Sequence, residues 1–321
     1  MEFDIIIREN CICRARSEKG GGIMATKTPV NQNVKMKKSG LLNLSRVSIL
    51  HYIKLLYRSA LFIATLVIYI VNKVNGYGIF NLTKDNYQQV LSNPLVYIVP
   101  GIIWIVYVLE MVLRFVPSKL ESPGCQKIFA QNYRPTGARV PMLQPIGKTL
   151  LVALVWCAIN APFVILYVLD KLGVFPLVDD GVMILLSLAY GVCDMICILF
   201  FCPFQSWIMK NRCCSTCRIY NWDFIMMFTP MIFLVFSPFM PFAISLVAIS
   251  IALFIVWEIN VTRHTERFSD KTNKSIQCRY CNEKLCHHKK QLKSFIKRNG
   301  AKLDSYLKQV DLHSDEDNDG L

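Results

Sequence analysis

Long apolar runs separated by short polar stretches dominate the sequence, and most of them have the length of a membrane-spanning helix. A helix needs about 20 apolar residues to cross the hydrocarbon core of a bilayer. The last apolar stretch, residues 224–260, exceeds one crossing and contains the turn sequence Ser237-Pro238-Phe239-Met240-Pro241. It is therefore divided in two. The predicted runs are 55–71, 95–116, 149–172, 182–202, 224–237 and 241–259.

This pattern predicts an all-α, polytopic membrane protein with six transmembrane helices. The fifth run is the shortest and contains Pro230, so we expect it to be tilted, broken or re-entrant. Lys and Arg accumulate in the short loops on the cytoplasmic side of membrane proteins. The N-terminal segment, residues 117–148 and residues 203–223 are basic, whereas residues 173–181 are acidic. The charges therefore predict a multi-pass protein of the cell membrane with both termini in the cytoplasm.

Composition agrees with this class. The chain has 321 residues, of which 53% are hydrophobic and 18% are charged, against about 25% charged residues in soluble domains. The formal net charge is +14, and the basic residues flank the apolar runs, which favours anionic lipid headgroups as partners. Basic residues interleaved with exposed aromatic side chains are not apparent, so nucleic acid is not an expected partner.

The chain divides into five segments by composition. Residues 1–23 end in Lys19-Gly20-Gly21-Gly22-Ile23 just before Met24. Lys-Gly-Gly can be encoded by a bacterial ribosome-binding sequence, so we expect translation to start at Met24 and the leader to be mis-annotated. The other segments are a basic cytoplasmic segment (24–54), the six-helix domain (55–260), a Cys/His-rich and basic helical tail (261–310), and an acidic disordered terminus (311–321).

Two C-x-x-C pairs carry the most specific chemistry in the sequence. Cys214 and Cys217 lie in the fourth loop, and Cys278 and Cys281 lie in the tail. Two such pairs can complete a tetrahedral zinc site. The fifth and sixth runs form a hairpin that returns the chain to the same face, which brings the pairs together. We therefore predict a structural zinc that fixes the tail to the fourth loop.

Other ligand sets and metals remain open in this prediction. An iron–sulfur cluster is the second choice of cofactor, because its usual ligands are also cysteines. Unligated cytoplasmic thiols are the alternative to any metal. The reserve ligands are Cys213, Cys286, His287 and His288.

Ionisable residues inside membrane runs are costly and point to function. Asp194, inside the fourth run, is the first candidate for contact with an ion, a proton or a substrate, with a structural ion pair as its alternative. Glu110 and Arg114 are four residues apart on the second run, so we expect them to pair on one helix face. Asn160 precedes Pro162, where a kink would free a backbone carbonyl for a ligand. Arg58, near the start of the first run, is expected to form a structural pair or to snorkel to the membrane interface.

No sequence motif of a known enzyme class is evident, so enzymatic activity is not the preferred interpretation. The favoured hypothesis is a transporter-like or accessory membrane module, with a possible partner subunit. One alternative is a membrane enzyme that acts on a lipid or isoprenoid phosphate held by the basic loop 119–148. The other is a metal- or redox-responsive membrane sensor.

Overall fold

The computed structural model describes residues 45–74, 95–118, 121–139, 146–174, 177–211, 213–236, 239–277 and 280. Among these residues the protein is helical, and its only bridge between extended segments is an isolated one from Pro135 to Asn273. We number the α-helices as α1 (Arg46–Val74), α2 (Leu95–Leu113), α3 (Pro123–Gln126), α4 (Ile146–Lys171), α5 (Asp180–Leu199), α6 (Asp223–Met227) and α7 (Met240–Arg263).

Among the described residues, four helices are long and apolar enough to cross a membrane: α1, α4, α5 and α7. A fifth apolar stretch, Ile98–Leu113 of α2, is shorter. Many aliphatic side chains on the outside of these helices are exposed, among them Leu56 at 74%, Leu154 at 58% and Ile165 at 59%. In water such a surface would be unfavourable, whereas lipid is its natural solvent. The described part of the chain is therefore helical with four candidate membrane spans, which is compatible with a membrane protein.

Contacts between the helix ends define two faces of the molecule. At one face, Tyr69 and Lys73 of α1 reach Asp179, which caps the N-terminus of α5 by accepting a hydrogen bond from the Val182 amide at 3.0 Å. Lys171, in the last turn of α4, pairs there with Asp180 at 2.9 Å. Gly173, with a φ of +75°, ends this part of the chain in a left-handed turn that favours glycine.

The opposite face holds what we call the loop layer, which consists of residues 121–139, 213–222 and 264–277. Its three segments lie far apart in the sequence and are joined by backbone and side-chain hydrogen bonds. The Lys274 amide donates to the Arg134 carbonyl at 2.8 Å, and the Ser275 hydroxyl donates to the Asn132 carbonyl at 2.6 Å. The beginning of the tail is thus docked on the second loop.

The fifth predicted run is not one continuous helix. It consists of the short helix α6 followed by 3₁₀ turns over Pro230–Phe236, and α7 begins at Met240. Pro230 has no amide hydrogen to donate, which favours a break at that point. The side chains of Phe224, Phe228 and Leu234 in this segment are almost fully buried. Irregular backbone is tolerated at membrane depth where protein surrounds it, as it does here.

Gly191 permits close packing between helices in the interior. A Cβ atom added there would lie 2.8 Å from Met227 Sδ and 2.8 Å from the Tyr107 hydroxyl. The glycine therefore lets α2 and α6 approach α5 at one level. Gly101 in α2 has no atom within 4 Å of an added Cβ, which makes it a matched control.

We predict that Gly191→Ala lowers the free energy of unfolding in mixed micelles by about 1–3 kcal/mol, because the added methyl group overpacks this contact. Gly101→Ala should be neutral or slightly stabilising, since alanine favours helix. The measurement is equilibrium unfolding of both variants beside the parent. Equal stability of the two variants would contradict the close packing at Gly191.

Candidate functional site

A buried arginine on α1 connects three helices in the interior. Arg58 is only 1% exposed. Its guanidinium pairs with Glu110 on α2 at 2.6 Å and with Asp194 on α5 at 3.2 Å. It also donates to the Gly191 carbonyl at 3.0 Å. Tyr57 donates a hydrogen bond to the other oxygen of Glu110.

A second buried arginine lies closer to the loop layer. Arg114 binds both carboxylate oxygens of Asp223, at 2.5 and 2.8 Å, and it donates to Asn221 at 3.2 Å. Phe224 lies between the two arginines, with its ring centroid 4.5 Å from the Arg114 guanidinium and 5.8 Å from that of Arg58. Such cation–π contacts stabilise a desolvated cation.

These contacts decide two expectations from the sequence. Arg58 forms a structural pair and does not snorkel to an interface, because three helices enclose it and two carboxylates pair with it. Glu110 lies on α2 and Arg114 directly follows the last residue of that helix, but they have different partners: Glu110 pairs with Arg58 and Arg114 pairs with Asp223. A partner on another helix ties the bundle together, which a pair within α2 would not do.

A cavity of about 440 Å³ lies beside this charge network. Its walls come from α4, α5, α6 and the segments 202–205 and 214–220, and they are mainly aromatic, aliphatic and sulfur-containing. Cys193, Ile159 and Ile196 line it and are also exposed on the outside of α4 and α5, with the two isoleucines at 43% and 41%. The cavity is therefore open to the surface beside the apolar helices α4 and α5.

Asp194 lies in the cavity wall, with its side chain 18% exposed. Tyr190, Cys193 and Cys197, which neighbour it in the sequence, line the same cavity. Asn160 is buried on α4, where it donates to the Trp156 carbonyl at 2.8 Å and accepts from the Tyr190 hydroxyl at 3.2 Å. Asn160 thus supports an aromatic wall residue.

The predicted metal ligands are only partly within the described residues. Cys214 donates to Gln205 Oε1 at 2.8 Å, Cys217 is buried, and both line the cavity. Cys278, Cys281 and the reserve ligands Cys286, His287 and His288 lie outside the described residues, as do the leader 1–23, the basic helical segment 291–310 and the terminus 311–321. Within the described part of the chain, Cys, His, Asp and Glu form no group of three placed to hold a metal ion.

Lys127 is the most unusual side chain of the loop layer, because it is 1% exposed and has no carboxylate among its described contacts. Its ammonium donates to the carbonyls of Ser215 and Cys217 at 2.9 and 3.0 Å. The rings of Trp257 and Phe268 lie 5.0 Å from it on α7 and the tail. Burial lowers the pKa of Lys127 to about 8, despite nearby cysteines that raise it.

Comparisons with protein-family models, with curated proteins and with solved structures find no match to this chain. What the site can do therefore has to be inferred from its own residues and geometry.

The sequence did not lead us to predict that Arg58, Asp223 and Lys127 each connect several elements of the structure. For Arg58, one signal was available. Arg58, Glu110 and Asp194 all occur within apolar runs, and charges in a bilayer are expected to pair with each other. Lys127 had no such signal, because it lies in a polar loop with other basic residues.

We predict that Lys127 makes the protein more stable as the pH rises from about 8 to about 10.5. The pKa of this lysine is lower in the folded state than its ordinary value of 10.5. In that window the unfolded chain binds more protons, so deprotonation favours folding, by about 3 kcal/mol in total. The measurement is the free energy of unfolding against pH for the parent and for Lys127→Met, which should lack this increment.

Lys271→Met, which removes an exposed lysine of the same layer, should retain the parental pH dependence. Identical slopes for the parent and Lys127→Met would contradict the effect of burial on Lys127.

Proposed function

We propose that this protein is a transporter-like or accessory module of a cell membrane, with the cavity beside Asp194 as its functional centre. The observation that supports the proposal is an open, mainly apolar cavity beside apolar helices and next to paired buried charges. Charged residues within a membrane are expensive and tend to mark pathways or binding sites. Concave, mainly apolar cavities with a few polar groups are the usual form of small-molecule sites.

The proposed topology has six crossings, with the loop layer and both termini in the cytoplasm. The broken segment from Asp223 to Phe239 serves as the fifth crossing. Asp223 pairs with Arg114 near the loop layer, whereas Leu234 and Phe239 pack with Pro100 and Ile184 towards the other face. The basic second and fourth loops then lie on the side where anionic headgroups are plentiful.

A structural zinc remains part of this proposal. Cys217 and the tail are linked through the second loop: Lys127 binds the Cys217 carbonyl, and Arg267 donates to the Ile128 carbonyl at 2.8 Å. The tail is bonded to Asn132 through Ser275, three residues before Cys278. A metal held by Cys214, Cys217, Cys278 and Cys281 would therefore reinforce an existing contact, and an iron–sulfur cluster is the second choice.

A redox- or metal-responsive sensor is the second candidate function. It is favoured by the five thiols that line one cavity, which belong to Cys193, Cys197, Cys202, Cys214 and Cys217. Cys197 and Cys202 are in direct side-chain contact. Thiols gathered around one cavity are suited to respond together to a soft metal ion or an oxidant.

We predict stoichiometric zinc in protein purified without chelators, measured by elemental analysis. Cys214→Ser and Cys278→Ser should each lose most of it, because a tetrahedral site with a missing thiolate binds zinc much more weakly. Cys157→Ser is the matched control, since Cys157 is exposed on α4 and lies outside the cavity lining.

Protein without metal would reject the zinc proposal. Metal that is lost on Cys202→Ser but retained on Cys278→Ser would instead assign it to the cavity thiols and favour the sensor.

A further inference from the structure

We propose that the cavity binds a lipophilic amine, a molecule with an apolar body and a protonated amino head, which enters from the bilayer and places its ammonium on Asp194. This inference rests on the membrane module proposed above and gives it a ligand class. Three observations support it: the hydrogen bonding and exposure of the Asp194 carboxylate, the balance of charged groups around it, and the position and chemistry of the cavity walls.

The carboxylate of Asp194 is available to a ligand. Oδ2 accepts one hydrogen bond from Arg58, at 3.2 Å, and among the described residues no donor to Oδ1 is found. The side chain is 18% exposed and lies in the cavity wall. By contrast, Asp223 is 5% exposed and has both oxygens bound to Arg114. The two cavity carboxylates thus differ, and only Asp194 has an acceptor free for a new donor.

The charge balance favours a cation over an anion or a neutral ligand. Three cations lie in this region, on Lys54, Arg58 and Arg114. They pair with four carboxylates, on Glu110, Glu121, Asp194 and Asp223, and the Arg114–Asp223 pair forms a group of its own among the described residues. The carboxylates therefore outnumber the cations paired with them by one. An ammonium on Asp194 would add a fourth cation through a charge-assisted hydrogen bond.

The walls suit the rest of such a molecule. Trp156, Tyr190 and Tyr220 line the cavity, and aromatic rings can bind a cation. Apolar surface for the ring or chain of the amine is provided by Ile159, Ile196, Met226 and Met227. A volume of about 440 Å³ lies in the range of sites for drug-sized molecules, which is about 300–1,000 Å³. The sideways opening allows a compound dissolved in lipid to enter without crossing the loop layer.

The test uses alkylation of a cysteine at the cavity mouth as its readout. The full-length protein in phosphatidylcholine nanodiscs is treated with N-ethylmaleimide, and modification is followed by peptide mass mapping. Cys193 is exposed and lines the cavity, whereas Cys157 is exposed on α4 outside the lining. The probe is monodansylcadaverine, a primary amine on an apolar fluorophore, and its N-acetylated neutral derivative is the matched control compound.

The amine is expected to slow alkylation of Cys193 at least threefold, to leave Cys157 unchanged, and to protect better than the acetylated compound. Asp194→Asn should remove the difference between the two compounds. Ile159→Trp, at an exposed position of the mouth, keeps the carboxylate and should reduce protection by both.

Each of three other outcomes would overturn a different part of the proposal. Equal protection by the amine and its neutral derivative would reject the amine class and leave the cavity as a site. Equal slowing at Cys193 and Cys157 would show a general bilayer effect and reject specific binding. Failure of maleimide to modify Cys193 under conditions that modify Cys157 would reject the bilayer-open cavity, and with it the proposed function.

Discussion

The ion pairs of Arg58 are the interaction on which the rest of the structure depends. This arginine, more than one helical turn from either end of α1, is 1% exposed and pairs with carboxylates on α2 and α5. In a bilayer an unpaired guanidinium is strongly unfavourable, so α1 is stable in the membrane only while both partners are in place. The two ion pairs therefore favour one arrangement of α1, α2 and α5, which otherwise present similar apolar surfaces to each other.

The cavity and the loop layer follow from this arrangement. Because Arg58 holds α5 by Asp194 and by the carbonyl of Gly191, the adjoining part of α5 is fixed and can serve as a rigid cavity wall. Arg114 continues the network to Asp223 and thereby positions the start of the broken segment. In the loop layer, the ammonium of Lys127 contacts α7 and joins the three segments of the layer to one another. Each buried cation thus connects elements that are distant in the sequence.

The apolar runs predicted the long helices well, because length and hydropathy alone decide whether a segment is stable in lipid. The boundaries were less predictable: α1 begins at Arg46, nine residues before the apolar run, since polar helical turns extend beyond the membrane core. The fifth run is not a simple helix, because Pro230 has no amide hydrogen to donate and 3₁₀ turns over Pro230–Phe236 take the place of regular α-helical hydrogen bonds.

The candidate site was predictable in part. Asp194 was predicted as a candidate because a charged carboxylate is unfavourable within an apolar run. The residue lies in the wall of the cavity. Its partner could not be chosen from the sequence, because pairing across helices depends on rotation and depth. Glu110 and Arg114 illustrate the same limit: spacing along one helix predicted a local pair, whereas each side chain gains more from a charge on another element. Cys278 and Cys281 lie outside the described residues, so the zinc site stays a prediction.

The most direct test of this account compares the free energy of unfolding of Arg58→Met with that of the double variant Arg58→Met/Glu110→Gln. We expect Arg58→Met to destabilise the protein by about 3–5 kcal/mol, because it leaves Asp194 without its paired cation and Glu110 with only the longer ion pair to Lys54, at 3.8 Å. The double variant should recover part of this loss, since the weakly paired charge of Glu110 is removed. Arg46→Met, at the exposed start of α1, is the control. If Arg58→Met were as stable as Arg46→Met, the central role of the Arg58 ion pairs would be contradicted.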